Sequence, residues 1–170
     1  MADMTAEQAR ALWRSYDALG EAEKASLQRS PDAQAILMDR TFWKLAGAAP
    51  DDVRLRLAHL VACFPAARQL ADPSGFSAGA FLRRALHPGQ ANVAPEQASR
   101  YRQLVSARDV DELVHRLRRI LSEAKAEVDW GVLGRDMFNW SDKVRRAWDK
   151  DFYQALQECA GGGGAGRQPR

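Results

Sequence analysis

The side chains in this sequence best equipped to act on another molecule are its arginines. Of 25 basic residues only Lys24, Lys44, Lys125, Lys143 and Lys150 are lysines. The rest carry a planar guanidinium, which matches a phosphate group better than an ammonium does. A GC-rich genome would produce the same bias, so placement has to separate the two accounts. Residues 1–50 hold six cations against seven acids, and residues 51–150 hold seventeen against thirteen, which puts the positive balance in the later part of the chain. On a helix, Arg118 has no acidic residue three or four positions away, nor do Arg83, Arg84 and Arg102, so local ion pairing does not neutralise them. Arg116 and Arg119 have Glu112 and Glu123 at pairing distance. Arg145 and Arg146 each see both Asp142 and Asp149, so an ion-paired, solvated face is as reasonable there as a phosphate contact. The chemistry on offer is sequence-independent contact with nucleic-acid backbone. Such binding weakens with salt by a log–log slope of roughly −0.7 to −0.9 per phosphate neutralised.

Covalent and metal chemistry find little support. His59, His87 and His115 lie in separate segments with no HExxH or His–Cys spacing, and Cys63 and Cys159 lack a CxxC companion. Asp51, Asp52, Asp109 and Asp129 precede helical patterns, where a carboxylate caps free backbone amides, and Asp149 and Asp151 read as members of a solvated helix face. Gly161–Gly164 lacks the Lys-Ser/Thr and the helix of a phosphate-binding loop. The expectation is a protein without catalysis, metal or cofactor. Trp130, Leu133, Met137 and Trp140 recur at helical spacing, as do Val144, Trp148, Phe152 and Leu156, so these aromatics belong to packing faces rather than to a base-stacking surface.

The elements that must position the cations read as helices throughout. Thr5 with Gln8 is a capping box for a first helix running toward Gly20. Ser30-Pro31 opens a long second helix closed by Gly47. Pro50 starts a third, stopped by Pro65, and residues 65–76 connect. Ser77 opens a short helix ended by His87-Pro88-Gly89, Pro95 opens the next, and Asp109 and Asp129 cap two more. Asn139–Asp142 leads into the last helix. No period-two run appears, so no sheet is expected. The fold class is all-α: a helical bundle over residues 5–160, with lobes at 5–76 and 77–160 and a disordered Gly-rich tail at 161–170. No apolar run reaches the ~18 residues of a membrane span. No secretory signal is visible at the start, which makes the cytoplasm the expected location.

Taken in order, Phe81-Leu82-Arg83-Arg84-Ala85-Leu86, Arg102-Gln103-Leu104-Val105, Leu117-Arg118-Arg119-Ile120-Leu121, Val128-Asp129-Trp130 and Trp148-Asp149-Lys150-Asp151-Phe152-Tyr153 resemble the CasB small subunit of the type I-E CRISPR Cascade complex. The likeness covers residues 77–156, and Phe42-Trp43-Lys44-Leu45 extends it loosely toward the N-terminus. It implies a two-lobed helical protein that pairs head to tail inside an RNA-guided antiviral complex. There it would meet other Cascade subunits, the guide CRISPR RNA, and the target and displaced DNA strands, with no chemistry of its own. The family's basic surface maps onto Arg84, Arg118, Arg119, Lys143, Arg145 and Arg146, with Arg102 and Arg108 as looser members. Asp142 and Asp149 interrupt that surface. The competing reading is a helical scaffold that binds only proteins.

Overall fold

The computed structural model describes residues 3–71, 75–89 and 98–160. The tail at 161–170 and the helix start expected at Pro95 lie outside the described residues. The chain is an all-α bundle. Helix α1 (Ala6–Asp17) opens with the expected reciprocal cap: Thr5 Oγ1 accepts from the Gln8 amide at 3.2 Å and Gln8 Oε1 accepts from the Thr5 amide at 2.8 Å. It stops at Asp17, and Gly20 is instead the N-cap of α2 (Glu21–Arg29), a helix that apolar periodicity alone does not separate.

The long helix expected between Ser30 and Gly47 is two short ones, α3 (Ala33–Leu37), capped by Asp32, and α4 (Arg40–Ala46), capped by Asp39. The break has a physical cause. Asp39 Oδ1 accepts from the Thr41 amide at 2.7 Å while Oδ2 takes the Ser26 hydroxyl of α2, so this carboxylate starts a helix and ties it to a neighbour. Helix α5 (Asp51–Cys63) follows Pro50, and a 3-10 turn at Phe64–Ala66 absorbs Pro65. Ser77, Asp109 and Asp129 cap α6 (Ala78–Leu86), α8 (Val110–Ala124) and α9 (Trp130–Phe138) as expected. Between them lies α7 (Ser99–Val105), and α10 (Asp142–Ala160) closes the bundle.

One feature departs from helix. Strand β1 (Arg68–Gln69) pairs in parallel with β2 (Glu127–Val128), placing Arg68 opposite Glu127. Two residues are too few to display an alternating pattern, which is why the sequence carries no signal for them.

Trp130, Trp148, Tyr101, Phe42 and Phe152 are the largest fully buried side chains of a continuous core. Leu133 and Met137 are buried as the spacing predicts, and Trp140 lies half-buried, edge-on to Trp148 with ring centres 4.9 Å apart. Cys63 is enclosed in the same core, where burial pushes its thiol up to about 12. Two close helix contacts frame the molecule: α9 lies on α1 through Gly131 and Gly134, and α10 lies on α6 through Gly79. No helix among the described residues is long and apolar enough to cross a membrane.

Candidate nucleic-acid interface

The cations of α8 divide between two faces because successive residues on a helix are about 100° apart. Arg119 and Arg116 face α7. Arg119 Nε donates to Glu123 Oε1 at 2.9 Å, and Arg100 of α7 reaches the other oxygen of the same carboxylate. Those two guanidiniums hold Glu123 below the usual carboxylate range, with Arg119 the larger cause. Arg116 pairs with Glu112 and also donates to the Gln103 carbonyl and, at 3.2 Å, to Ser106 Oγ. Arg100, Arg116 and Arg119 thus line a hollow of about 410 Å³ in which most of the positive charge already has a partner.

Arg118 points elsewhere. It is half-buried, and Nη1 donates to the Pro31 carbonyl at 3.2 Å, joining α8 to the turn before α3. The absence of an acid along its own helix therefore does not leave it without a partner, since the partner comes from 87 residues away. Arg102 is exposed and makes no ion pair among the described residues. Arg108 is exposed in the turn before α8, where its backbone amide donates to Glu112 at 2.9 Å.

On α6 the adjacent pair Arg83 and Arg84 separates completely. Arg83 is buried, with its guanidinium 5.8 Å from the Phe152 ring centre. Arg84 is exposed, lies 5.3 Å from the Phe76 ring centre, and lines a hollow of about 400 Å³ together with Leu70, Lys125 and Glu127. At the start of α10, Arg145 pairs with Asp142 at 2.7 Å. Asp149 is not on a solvated face. It is half-buried and accepts the Tyr101 hydroxyl at 2.9 Å, and burial together with this bond keeps Tyr101 a neutral phenol. Asp151 is half-buried too, against Gly79. Arg146 is consequently exposed without an ion pair among the described residues. Lys143 lines a groove of about 790 Å³ with Arg56, Arg135 and Trp140.

The structure thus spreads the eight expected cations over several surfaces. It also adds members that spacing alone does not single out. Arg68 and Arg100 join hollows walled by residues distant in sequence, and Lys125 completes two of them. The signal for these lies in tertiary contact, which helical periodicity does not encode.

The remaining reactive groups are dispersed. His59 is buried with Nε2 2.7 Å from Asp111 Oδ1 across the α5–α8 contact, and His115 is exposed. His87 is lowered by burial and by the nearby Arg83 charge, which favours its neutral form. Among the described residues no three His, Cys, Asp or Glu side chains come together as a metal site.

Residues 9–153 match the family model described as CRISPR-associated protein Cse2. Among solved structures, a chain from the crystal structure of E. coli Cascade bound to a PAM-containing dsDNA target superposes with a TM-score of 0.68 at 21% identity, covering 86% of this chain and 97% of that one. No curated protein matches the sequence significantly. At that identity the structural likeness concerns the fold.

Proposed function

The chain belongs to the CRISPR-associated Cse2 family, known in type I-E systems as CasB, and from that premise we propose that it is the non-catalytic small subunit of a Cascade surveillance complex. In this reading it works in the cytoplasm, in antiviral defence. It packs, as one of a pair of small subunits, against other Cascade proteins, with lobes at 5–76 and 77–160. It holds the backbone of the guide CRISPR RNA and of the target and displaced DNA strands. Base pairing between guide and target reads the sequence, and the protein supplies positive surface to the strands.

The observation that carries the proposal is the family match across residues 9–153. The disposition of charge supports the backbone-binding part. Arg84, Arg102, Lys143 and Arg146 are exposed with no ion pair among the described residues, whereas Arg119 and Arg145 are partly neutralised and Arg108 has only its amide engaged. Arg118 would contribute chiefly by fixing α8 against Pro31. Trp130 and Trp148 are fully buried, so contact runs through phosphates and not through bases stacked on these rings.

A protein-only scaffold has one observation in its favour: Met38 and Trp43 leave an exposed apolar area around α3 and α4, 86% and 43% accessible respectively. The double variant Arg102→Glu/Arg146→Glu separates the readings. Target retention by the assembled complex is expected to fall and its salt dependence to become shallower. Unchanged retention and unchanged salt dependence would favour the scaffold.

A further inference from the structure

Two hollows meet at the end of α8. One, of about 430 Å³, is lined by Arg68, Ser122, Lys125 and Glu127 among others. The second, of about 400 Å³, is lined by Arg84, Lys125 and Glu127. They share the segment Lys125-Ala126-Glu127. Three cations from three separate segments, β1, α6 and the cap of α8, therefore border two hollows that share Lys125-Ala126-Glu127, against the single acid Glu127. None of the three makes an ion pair among the described residues, although Arg68 stands opposite Glu127 in the strand register.

Lys125 adds an independent observation. It is the C-cap of α8 with φ 48° and ψ 44°, the left-handed conformation, and is the sole residue other than glycine with positive φ among the described residues. That position favours glycine, because a Cβ crowds the backbone there. The amide of Lys125 already closes the helix by bonding to the Leu121 and Ser122 carbonyls, a task glycine performs equally well. The exposed ammonium, in contrast, has no hydrogen-bond or ion-pair partner among the described residues. The fold thus accepts a strained backbone for a side chain whose ammonium no described protein group binds, its charge being suited to the C-terminal end of α8. Strain of this kind points to a ligand.

We propose that Arg68, Lys125 and Arg84 form a continuous phosphate track, along which the backbone of one nucleic-acid strand crosses the end of α8. The track rests on the nucleic-acid reading above and gives it a path: successive phosphates meet Arg68, then Lys125, then Arg84. Ser122 offers a hydroxyl donor in the first hollow, and Glu127, which lines both hollows, weakens the grip.

The test is the salt dependence of binding by the full-length chain to oligo-dT and to oligo-U of equal length. The variants are Lys125→Gly, Arg68→Gln, Arg84→Gln and Glu127→Gln, each with its thermal melting curve. The first three are expected to make the log–log slope shallower by about 0.7 for every phosphate that is no longer neutralised, and Glu127→Gln to tighten binding. Lys125→Gly is also expected to leave the melting temperature unchanged or raise it, which separates loss of the ammonium from loss of fold. The oligomer with the larger change identifies DNA or RNA as the strand held. If the wild type binds and all four variants keep its slope and affinity, the track is overturned while the nucleic-acid reading stands. A lower melting temperature for Lys125→Gly would overturn the strain argument. If the wild type binds neither oligomer, both readings fall.

Discussion

Two helix seams in this molecule use glycine for close approach and are then secured by different chemistry. Where α10 meets α6, a Cβ on Gly79 would fall 2.5 Å from the Trp148 carbonyl oxygen and 2.9 Å from the Phe152 amide nitrogen, so backbone meets backbone. Beside this seam, contacts to α7 and α9 hold α10 in place. Tyr101 stacks on Phe152 at 3.7 Å with the rings 7° from parallel, and Trp148 Nε1 donates to Asp136 at 2.8 Å. Where α1 meets α9, a Cβ on Gly131 would meet the Arg10 guanidinium at 2.6 Å and the Ala6 carbonyl at 2.9 Å. Here the fastening is ionic: Arg10 Nη2 donates to both oxygens of the buried Asp129 at 2.9 and 3.1 Å, and Asn139 exchanges two hydrogen bonds with Met4. The α10–α6 seam is rigid at Gly79 because the atoms closest to it are the Trp148 carbonyl, the Phe152 amide and the Asp151 Cβ, none of which can swing away. In the ionic seam two of the three closest atoms belong to the Arg10 side chain, which can yield, and one to the Ala6 carbonyl, which cannot. The same glycine device therefore gives one inflexible joint and one adjustable one.

That contrast can be broken most forcefully at Phe152. Phe152→Ala removes the ring under Tyr101 and is expected to cost roughly 3–5 kcal/mol in denaturant unfolding. Next comes Gly79→Ala, which drives a methyl group into main-chain atoms and is expected to cost about 2–3 kcal/mol; Gly131→Ala should cost less because it meets one main-chain atom, the Ala6 carbonyl at 2.9 Å, and otherwise the Arg10 side chain, which can swing aside. Equal losses for the two glycines would show the seams to be alike. Arg10→Met removes the charged donor from Asp129, which keeps the Gly131 amide at 2.8 Å, and is expected to cost about 1–2 kcal/mol by thermal melting, discounted for the partial exposure of Arg10.

The smallest effect is a pH dependence confined to the α1 side. Arg14, and after it Arg10, hold the Glu7 carboxyl below its ordinary range. A carboxyl lowered in the folded state stabilises above its unfolded pKa and loses that contribution as pH falls through the lowered value. Wild type and Glu7→Gln should therefore differ slightly in melting temperature at neutral pH and converge in acid. A gap that widens in acid would contradict the assignment.

The helix starts that can be read from sequence are those whose chemistry is local. Thr5 with Gln8, Ser77, Asp109 and Asp129 each act within three residues, and each caps as its spacing says. Asp39 caps just as locally, through the Thr41 amide, but it lies inside an apolar spacing that continues from Ala33 to Leu45, so periodicity runs past it. The site follows the same division. Pairing of Arg119 with Glu123 and of Arg145 with Asp142 is helical and follows from spacing. The Pro31 carbonyl on Arg118, the burial of Arg83 and the capture of Asp149 by Tyr101 join residues far apart, and no helical period records them. Family membership is legible for a different reason: it resides in the order of short elements along the chain, which needs no contact map.

The paired strands β1 and β2 bear on how the molecule comes together in time. They join segments about sixty residues apart, a closure costing roughly 3–4 kcal/mol in chain entropy before any constant term, against cross-chain bonds such as Arg68 amide to Ala126 carbonyl at 3.1 Å and Leu70 amide to Val128 carbonyl at 2.8 Å, each worth about 1 kcal/mol. Such a bridge cannot nucleate. On this entropy argument it is expected to form after α5, α8 and α9 have condensed and to be released early when the native state opens locally. Arg68 sits on one strand and Lys125 two residues before the other, so the spacing between these two cations is expected to be fixed late in folding. A strand of nucleic acid laid across them would close the loop a second time, from outside, and slow hydrogen exchange at Arg68 and Leu70 would be its signature.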